Sequence, residues 1–164
     1  RMIVTIEAGP GIWWQVIMQK LEGFGDPGPA PERTFAGTWQ VEPAAAALGV
    51  GPARGDISWW AIDDAGVTAR SCFFDDDYVF GRDGTFDNAH GDDTWLEAWQ
   101  GVAGEECGAA VAPHDSASDY TWAYTQDTEE DTGTLLIDGL GGPIRIPNSV
   151  NAAQLPVASV PLNV

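Results

Sequence analysis

The stretch RMIVTIEAGPGIWWQVIMQK (residues 1–20) joins two strongly apolar runs through the Gly- and Pro-containing sequence EAGPG. Apolar, β-branched runs that flank such a turn are typical of a β-hairpin. An isolated two-stranded hairpin is marginally stable in water, so this one is expected to pair with further strands. Its apolar residues favour a strand buried between neighbours over an exposed edge strand. The residues predicted to make those contacts are Met2, Val4, Ile6, Ile12, Trp13, Trp14, Val16, Ile17 and Met18.

The chain divides into three parts on composition. Residues 1–21 form the N-terminal hairpin, residues 22–34 (EGFGDPGPAPERT) are a Pro/Gly-rich linker, and residues 35–164 form a domain. That domain consists of short β-type runs separated by Gly, Pro, Asn and Asp, with its strongest hairpin signal in YVFGRDGTFDN (78–88). We therefore predict an all-β protein, an antiparallel β-sandwich of jelly-roll or Ig-like type. The best candidate for a helix is EPAAAALGVG (42–51), and the predicted strands include VTARSCFF (67–74), which follows a predicted turn at DDAG (63–66).

The partner of the N-terminal hairpin has three candidates. The hairpin folds back onto its own domain, or it belongs to the preceding copy of a tandem array, or it is a donor strand that completes the sheet of a neighbouring subunit. Donation to a neighbour builds an open head-to-tail filament unless rotation closes it. The sequence alone leaves pairing in cis and in trans open. The chain begins at Arg1 without Met, which predicts a processed form or one unit of a longer protein.

Composition and charge exclude several classes of function. The chain carries 25 acidic and 7 basic residues, for a net charge of -18. Such a field repels phosphate backbones, so nucleic acid is excluded as a partner. No run reaches the roughly 18 apolar residues that a membrane-spanning helix needs, so no membrane insertion is expected.

The two cysteines, Cys72 and Cys107, fit no metal-ligand spacing such as C-x-x-C. We predict that they form a disulfide in an oxidising compartment, which places the protein outside the cell or on its surface. The alternative is a pair of buried thiols.

Tryptophan is abundant, with eight residues in the chain. Exposed aromatic rings stack on the apolar faces of sugars, and neighbouring carboxylates accept hydroxyl hydrogens. The alternative is that these rings fill the core, as the shared face of positions 120, 122 and 124 suggests. The candidates for glycan binding are Trp59, Trp60, Trp95, Trp99, Tyr120, Trp122 and Tyr124.

Four aspartates on neighbouring elements, Asp75, Asp77, Asp83 and Asp87, are the candidates for a calcium site. The alternative is a solvated acidic hairpin, and no cofactor is required. With 25 acidic residues, the sequence singles out no catalytic pair, and a G-x-S-x-G element is absent, so we predict that the protein is not an enzyme. Both histidines, at positions 90 and 114, are interpreted as loop or capping residues.

Four segments together resemble a known but uncharacterised pattern: GTWQVEPAAAALGVGPARGDISWW (37–60), CFFDDDYVFGRDGTFDN (72–88), TWLEAWQG (94–101) and CGAAVAPHD (107–115). They resemble a β-rich module of secreted and surface multimodular proteins of marine Bacteroidetes-type bacteria, found beside polysaccharide-utilisation machinery. In that module a strand like MIVTIEAGPGIWW (2–14) comes last, whereas here it comes first. The resemblance implies a β-rich extracellular module in a polysaccharide context, with its final strand moved to the N-terminus.

These features lead to two functional hypotheses. The first is an extracellular structural or adhesive subunit that assembles head-to-tail with copies of itself by strand donation. The alternative is a non-catalytic glycan-binding module whose partner is a polysaccharide.

Overall fold

The computed structural model describes residues 1–21, 36–117, 119–127, 132–139, 141, 144 and the backbone of 159–163. The predicted linker, 22–34, lies outside the described residues. The strands are β1 (Met2–Gly9), β2 (Ile12–Lys20), β3 (Gly37–Val41), β4 (Leu48–Gly51), β5 (Trp60–Ala61), β6 (Asp77–Phe80), β7 (Thr85–Ala89), β8 (Thr94–Leu96), β9 (Glu106–Gly108), β10 (Tyr120–Gln126), β11 (Gly133–Asp138) and β12 (Ser159–Asn163). Two short helices, α1 (Asp64–Ala69) and α2 (Ser71–Phe74), and a 3-10 turn (Ala98–Gln100) complete the described elements.

The predicted N-terminal hairpin is confirmed. β1 and β2 pair antiparallel in a register that runs from Met2 opposite Met18 to Gly9 opposite Ile12. Gly11 in the turn has φ 67°, a left-handed conformation that glycine adopts without a steric penalty.

The hairpin closes a curled sheet within its own chain. The strand order is β1-β12-β11-β10-β7-β6-β3-β2, and β2 pairs with β1 again, so eight strands form a closed ring. β2 pairs with β3 through its C-terminal part and with β4 through its N-terminal part, and β4 carries β5 as the outer strand. All of these pairings are antiparallel, so the predicted all-β, sandwich-like class is confirmed. Ten strands form one curled sheet, and β8 and β9 pair antiparallel as a separate two-stranded sheet.

One side of the hairpin fills the core. Alternate residues on a strand share a face, and here the even-numbered positions point inward. Val4, Ile6, Val16 and Met18 are at most 2% exposed, and Met2 is buried beside them. Ile12 is exposed, and Trp13, Trp14 and Ile17 are half-buried. Most of the residues predicted as an assembly strand therefore contribute to the core of their own chain, and Trp14 and Ile17 pack against it.

Two local predictions were wrong. Residues 42–51 do not form a helix: the alanines make a turn in which Ala46 has φ 63°, and Leu48 then starts β4 in the core. Residues 67–74 do not form a strand, because Asp63 caps a helix by accepting a hydrogen bond from Gly66 N at 2.7 Å. An aspartate before a helix start satisfies a backbone donor that has no intrahelical partner.

The predicted disulfide is confirmed. Cys72 and Cys107 are joined, with their Cα atoms 6.0 Å apart, and the bond connects α2 to β9.

Matched substitutions on β1 test the inward and outward faces. Ile6→Ala removes a side chain that is 2% exposed, whereas Ile3→Ala removes one that is 50% exposed. We expect Ile6→Ala to lower the free energy of unfolding by about 2–5 kcal/mol because it leaves a cavity in the core. Ile3→Ala is expected to change it by about 0.5 kcal/mol. Urea denaturation measures both values, and equal losses would contradict this orientation of the hairpin.

Candidate functional site

Four tryptophans lie on or next to the strands β2 and β5, which flank β4, and we call this region the tryptophan wing: Trp13, Trp14, Trp59 and Trp60. Trp14 and Trp60 both lie opposite Val50, on its two neighbouring strands, and therefore share its face of the sheet. Their ring centroids are 6.0 Å apart, and the ring planes are tilted by 58°. Trp59 is 57% exposed and Trp60 is 41% exposed. The wing therefore presents two exposed rings, Trp59 and Trp60, and Trp60 packs beside the half-buried Trp14.

Two glycines explain how the chain positions Trp59. The connection from β4 to β5 folds back across the outer face of β4, and a Cβ at Gly49 or Gly51 would collide with Ile57 or with the backbone of Asp56. Arg54 Nε donates a hydrogen bond to Thr5 Oγ1 at 3.2 Å, which ties this connection to β1. The connection is thus held against the sheet rather than projecting from it.

Carboxylates border the wing. Glu7 is exposed and lies opposite Trp13 in the β1–β2 register. In the β4–β5 connection, Asp56 accepts a hydrogen bond from Ser58 N at 2.7 Å. Hydrogen bonding by Ser58 lowers the pKa of Asp56, so this carboxylate stays ionised. The wing therefore combines aromatic rings with hydrogen-bond acceptors.

Of three other residues predicted to bind glycan, two are buried, and the side chain of the third lies outside the described residues. Trp95 is 8% exposed, its Nε1 donates to Glu97 Oε1 at 2.9 Å, and the Arg70 guanidinium lies over its ring at 4.6 Å. Tyr120 is buried in the core, as the shared-face alternative had suggested. The side chain of Trp99 lies outside the described residues.

Trp122 and Tyr124 are half-buried on β10 and pack against the core. Trp122 Nε1 donates to Gly81 O at 2.8 Å, and its ring meets Phe80 edge to face at 5.5 Å. Both residues line a cavity of about 410 Å³ that Arg82 and Asp83 also border. This cavity is a second aromatic surface with charged groups, but its tryptophan is engaged in the packing of the fold.

The structure does not gather the four aspartates predicted to bind calcium. Asp77 accepts a hydrogen bond from Gln40 at 2.9 Å, and Asp83 accepts one from Thr85 Oγ1 at 2.6 Å in the β6–β7 turn. Asp75 and Asp87 are exposed. Within the described ranges, the one group of three candidate ligand atoms within 4.8 Å is Cys72, Asp93 and Cys107, and its sulfurs belong to the disulfide.

Sequence reasoning missed a buried polar cluster at the open end of the β6–β7 hairpin, opposite its turn. His90 Nδ1 lies 3.2 Å from Asp76 Oδ1, and Thr94 Oγ1 donates to Asp76 Oδ2 at 2.6 Å. His90 and His114, both interpreted as loop residues, have buried side chains. The sequence FDDDY (74–78) did indicate that Asp76 would be buried. Alternate residues of a strand share a face, and Asp76 therefore lies on the same inward face as Tyr78 and Phe80.

A second buried carboxyl group lies near the disulfide. Glu97 is 4% exposed, accepts the Trp95 Nε1 hydrogen bond and caps the 3-10 turn. Burial raises the pKa of Glu97, and the negative charge of Glu105 adds to that rise, while the hydrogen bond from Trp95 and the charge of Arg70 oppose it. Arg70 lies 3.9 Å from Glu105, so the four side chains form one network.

Comparison with family models, curated proteins and solved structures found no match. In the part of the chain that the structure describes, no helix has the length and apolar character needed to cross a membrane.

The raised pKa of Glu97 predicts a pH dependence of stability. In the pH range above the ordinary glutamate value of 4.5, the folded state keeps a proton that the unfolded state has lost. The free energy of unfolding should therefore fall as the pH rises from 4.5 through the raised pKa of Glu97. We expect Glu97→Gln to remove this slope while keeping the hydrogen bond from Trp95.

Urea titrations at pH 4.5, 5.5, 6.5 and 7.5 measure the slope, and Glu106→Gln, an exposed residue on β9, is the matched control. A slope that is the same in Glu97→Gln and in the unmodified chain would contradict the assignment.

Proposed function

We propose that this protein is an extracellular, non-catalytic module that binds neutral polysaccharide through the tryptophan wing. The observation that carries the proposal is the pair of neighbouring exposed rings, Trp59 and Trp60, with Trp60 packed beside Trp14. Contiguous apolar surface that remains exposed in a folded protein commonly marks a binding site.

The chemistry of the wing suits sugar rings. The apolar faces of pyranose rings stack on tryptophan, and the exposed ring of Trp60 is held beside Trp14, with the two ring centroids 6.0 Å apart. Glu7 and the ionised Asp56 accept hydrogen bonds from sugar hydroxyls. Aromatic contact supplies the affinity in this arrangement, and the acceptors orient the sugar.

The net charge narrows the class of polysaccharide. At -18 the protein repels polyanionic chains such as polyuronates. A neutral polysaccharide, for example a soluble β-glucan, is not repelled by this charge. The Cys72–Cys107 disulfide supports a location in an oxidising extracellular setting, and the resemblance to modules near polysaccharide-utilisation machinery points the same way.

Substitutions in the wing test this proposal. We expect Trp59→Ala and Trp60→Ala each to weaken binding of a soluble neutral β-glucan at least tenfold, because each removes one stacking ring. Leu136→Ala is the matched control, since Leu136 is also an exposed apolar residue (38%) but lies on β11. Isothermal titration against β-glucan, xylan and alginate measures the affinities, and circular dichroism confirms that each variant is folded.

Three results would overturn the proposal: no binding to any neutral polymer, equal loss in Leu136→Ala, or stronger binding of alginate than of the neutral chains.

A second function, homotypic assembly by exchange of the N-terminal hairpin, is favoured by the uneven pairing of β1. Among the residues that the structure describes, β1 shares a long register with β2 but one residue pair, Thr5 with Asn163, with β12. The hairpin would leave as a unit and insert into the same position in a neighbouring copy. Deleting residues 1–21 does not test this idea, because the deletion removes buried core residues in either case.

An engineered disulfide between β2 and β3 distinguishes hairpin exchange from folding within one chain. Gln19 on β2 lies opposite Gln40 on β3, so Gln19→Cys with Gln40→Cys would fix the hairpin to its own sheet. If exchange occurs, light scattering should show multiples of 17.4 kDa for the unmodified chain and the single mass for the locked variant. Gln19→Ser with Gln40→Ser is the control. An unmodified chain that stays monomeric, or a locked variant that assembles equally, would contradict exchange.

A further inference from the structure

A cavity of about 410 Å³ lies beside the turn that joins β6 to β7. β10 pairs with β7 through Tyr120 and Thr121 and then continues past the first residue of β7. The next side chains on the inward face of β10, Trp122 and Tyr124, border the cavity from one side. Arg82 borders it from the turn, and we call this space the turn cavity.

The aromatic wall of the turn cavity is held in place by the fold. Trp122 Nε1 donates a hydrogen bond to Gly81 O at 2.8 Å, and the Trp122 ring meets Phe80 edge to face, with the ring centroids 5.5 Å apart. Trp122 and Tyr124 are half-buried, so part of each side chain stays accessible. A wall that is already ordered reduces the entropy that a ligand loses on binding.

Positive charge gathers near the turn cavity in a chain that has few basic residues. The chain has seven lysines and arginines against 25 acidic residues. Two of the seven lie close enough to interact, because partial burial and then the positive charge of Arg82 lower the pKa of Lys20. The Lys20 ammonium lies over the Trp39 ring at 5.6 Å. An anion bound at Arg82 is therefore attracted by a second positive charge.

The carboxylate that also borders the cavity, Asp83, is directed mainly at its own turn. Its Oδ1 accepts hydrogen bonds from Thr85 Oγ1 at 2.6 Å and from Thr85 N at 3.1 Å. These bonds lower the pKa of Asp83, so this group stays ionised. Its carboxylate can accept a further hydrogen bond from a ligand hydroxyl. Arg82 and Lys20 together outweigh its single negative charge.

We propose that the turn cavity binds a small organic monoanion, a six-membered ring that carries one carboxylate. The ring packs against Trp122 and Tyr124, and the carboxylate pairs with Arg82. A guanidinium presents a planar fork of donors that matches the two oxygens of a carboxylate. A volume of about 410 Å³ lies within the range of small-molecule sites. A uronic acid sugar and an aromatic carboxylate share this chemistry.

The net charge of the chain restricts this site to ligands of low charge. Charges farther apart than about 8 Å are largely screened at physiological ionic strength. A monoanion in the cavity therefore responds mainly to Arg82 and Lys20. A polyanionic chain extends over the acidic surface and is repelled there. The site is separate from the tryptophan wing and does not rest on the polysaccharide proposed to bind the wing.

Titration of the unmodified chain with four small probes tests the site. Sodium glucuronate carries its carboxylate on a sugar ring and sodium benzoate on an aromatic ring, and glucose and benzyl alcohol are the neutral counterparts. In ¹H–¹⁵N spectra, at least one of the two anions should shift the Trp122 indole signal and the amide signals of Gly84 and Ala123. Its affinity should exceed that of its neutral counterpart about tenfold or more. The anion that binds more tightly identifies the ring of the ligand.

Variants of exposed residues locate the binding. Arg82→Gln should weaken binding of the preferred anion about tenfold or more, because hydrogen bonds to a charged group are lost. Arg54→Gln makes the same change of charge away from the cavity lining and should leave the affinity unchanged. Circular dichroism verifies that both variants are folded.

Three results would overturn this second site: equal affinity for the anions and their neutral counterparts, an equal loss in Arg54→Gln, or cavity signals that no probe shifts. Arg82→Gln should still bind β-glucan as the unmodified chain does, and Trp60→Ala should still bind the anion. The turn cavity and the tryptophan wing are therefore tested separately.

Discussion

The closed sheet depends on backbone hydrogen bonds that the N-terminal hairpin makes with both flanks of the remaining chain. β2 pairs with β3 and β4 on one side, and β1 meets β12 on the other. Without the hairpin, the facing edges of these strands would present unpaired N–H and C=O groups, and the core would lose five side chains that are almost fully buried. The hairpin and the domain therefore form one folding unit, despite the Pro/Gly-rich stretch between them in sequence.

The sequence predicted the features that have short-range causes. The N-terminal hairpin, the Asp-Gly hairpin of β6 and β7 and the aromatic face of β10 were recognisable because alternation and turn residues determine them locally. The disulfide joins residues 35 apart and was predicted for a different reason, because the two cysteines of the chain fit no metal-ligand spacing. The failures also have physical causes. The alanine run at 44–47 has high helix propensity, but it forms a turn in which Ala47 packs in the core. The helices at 64–74 depend on a cap at Asp63 that was read as part of a turn.

The candidate sites were less predictable because they depend on strands that are distant in sequence. Tryptophan content indicated an aromatic surface, yet nothing in the sequence separates Trp59, which is exposed, from Trp95, which Arg70 covers and Glu97 engages. His90 has neighbours typical of a loop, and its position beside the buried Asp76 follows from the continuation of the β6–β7 pairing. Local sequence records which residue types are present, whereas their exposure depends on which strands become neighbours.

The contact that closes the sheet has a consequence for folding kinetics. Thr5 meets Asn163, so the first strand of the hairpin pairs with the last described strand of the chain. Contacts of such high sequence separation carry a large loop-closure entropy, and proteins dominated by them fold slowly. During ribosomal synthesis, β1 must wait until the residues of β12 have emerged before it pairs with them. The apolar inner face of the hairpin lacks this partner during that interval, so the hairpin is a segment of the nascent chain that is vulnerable to aggregation.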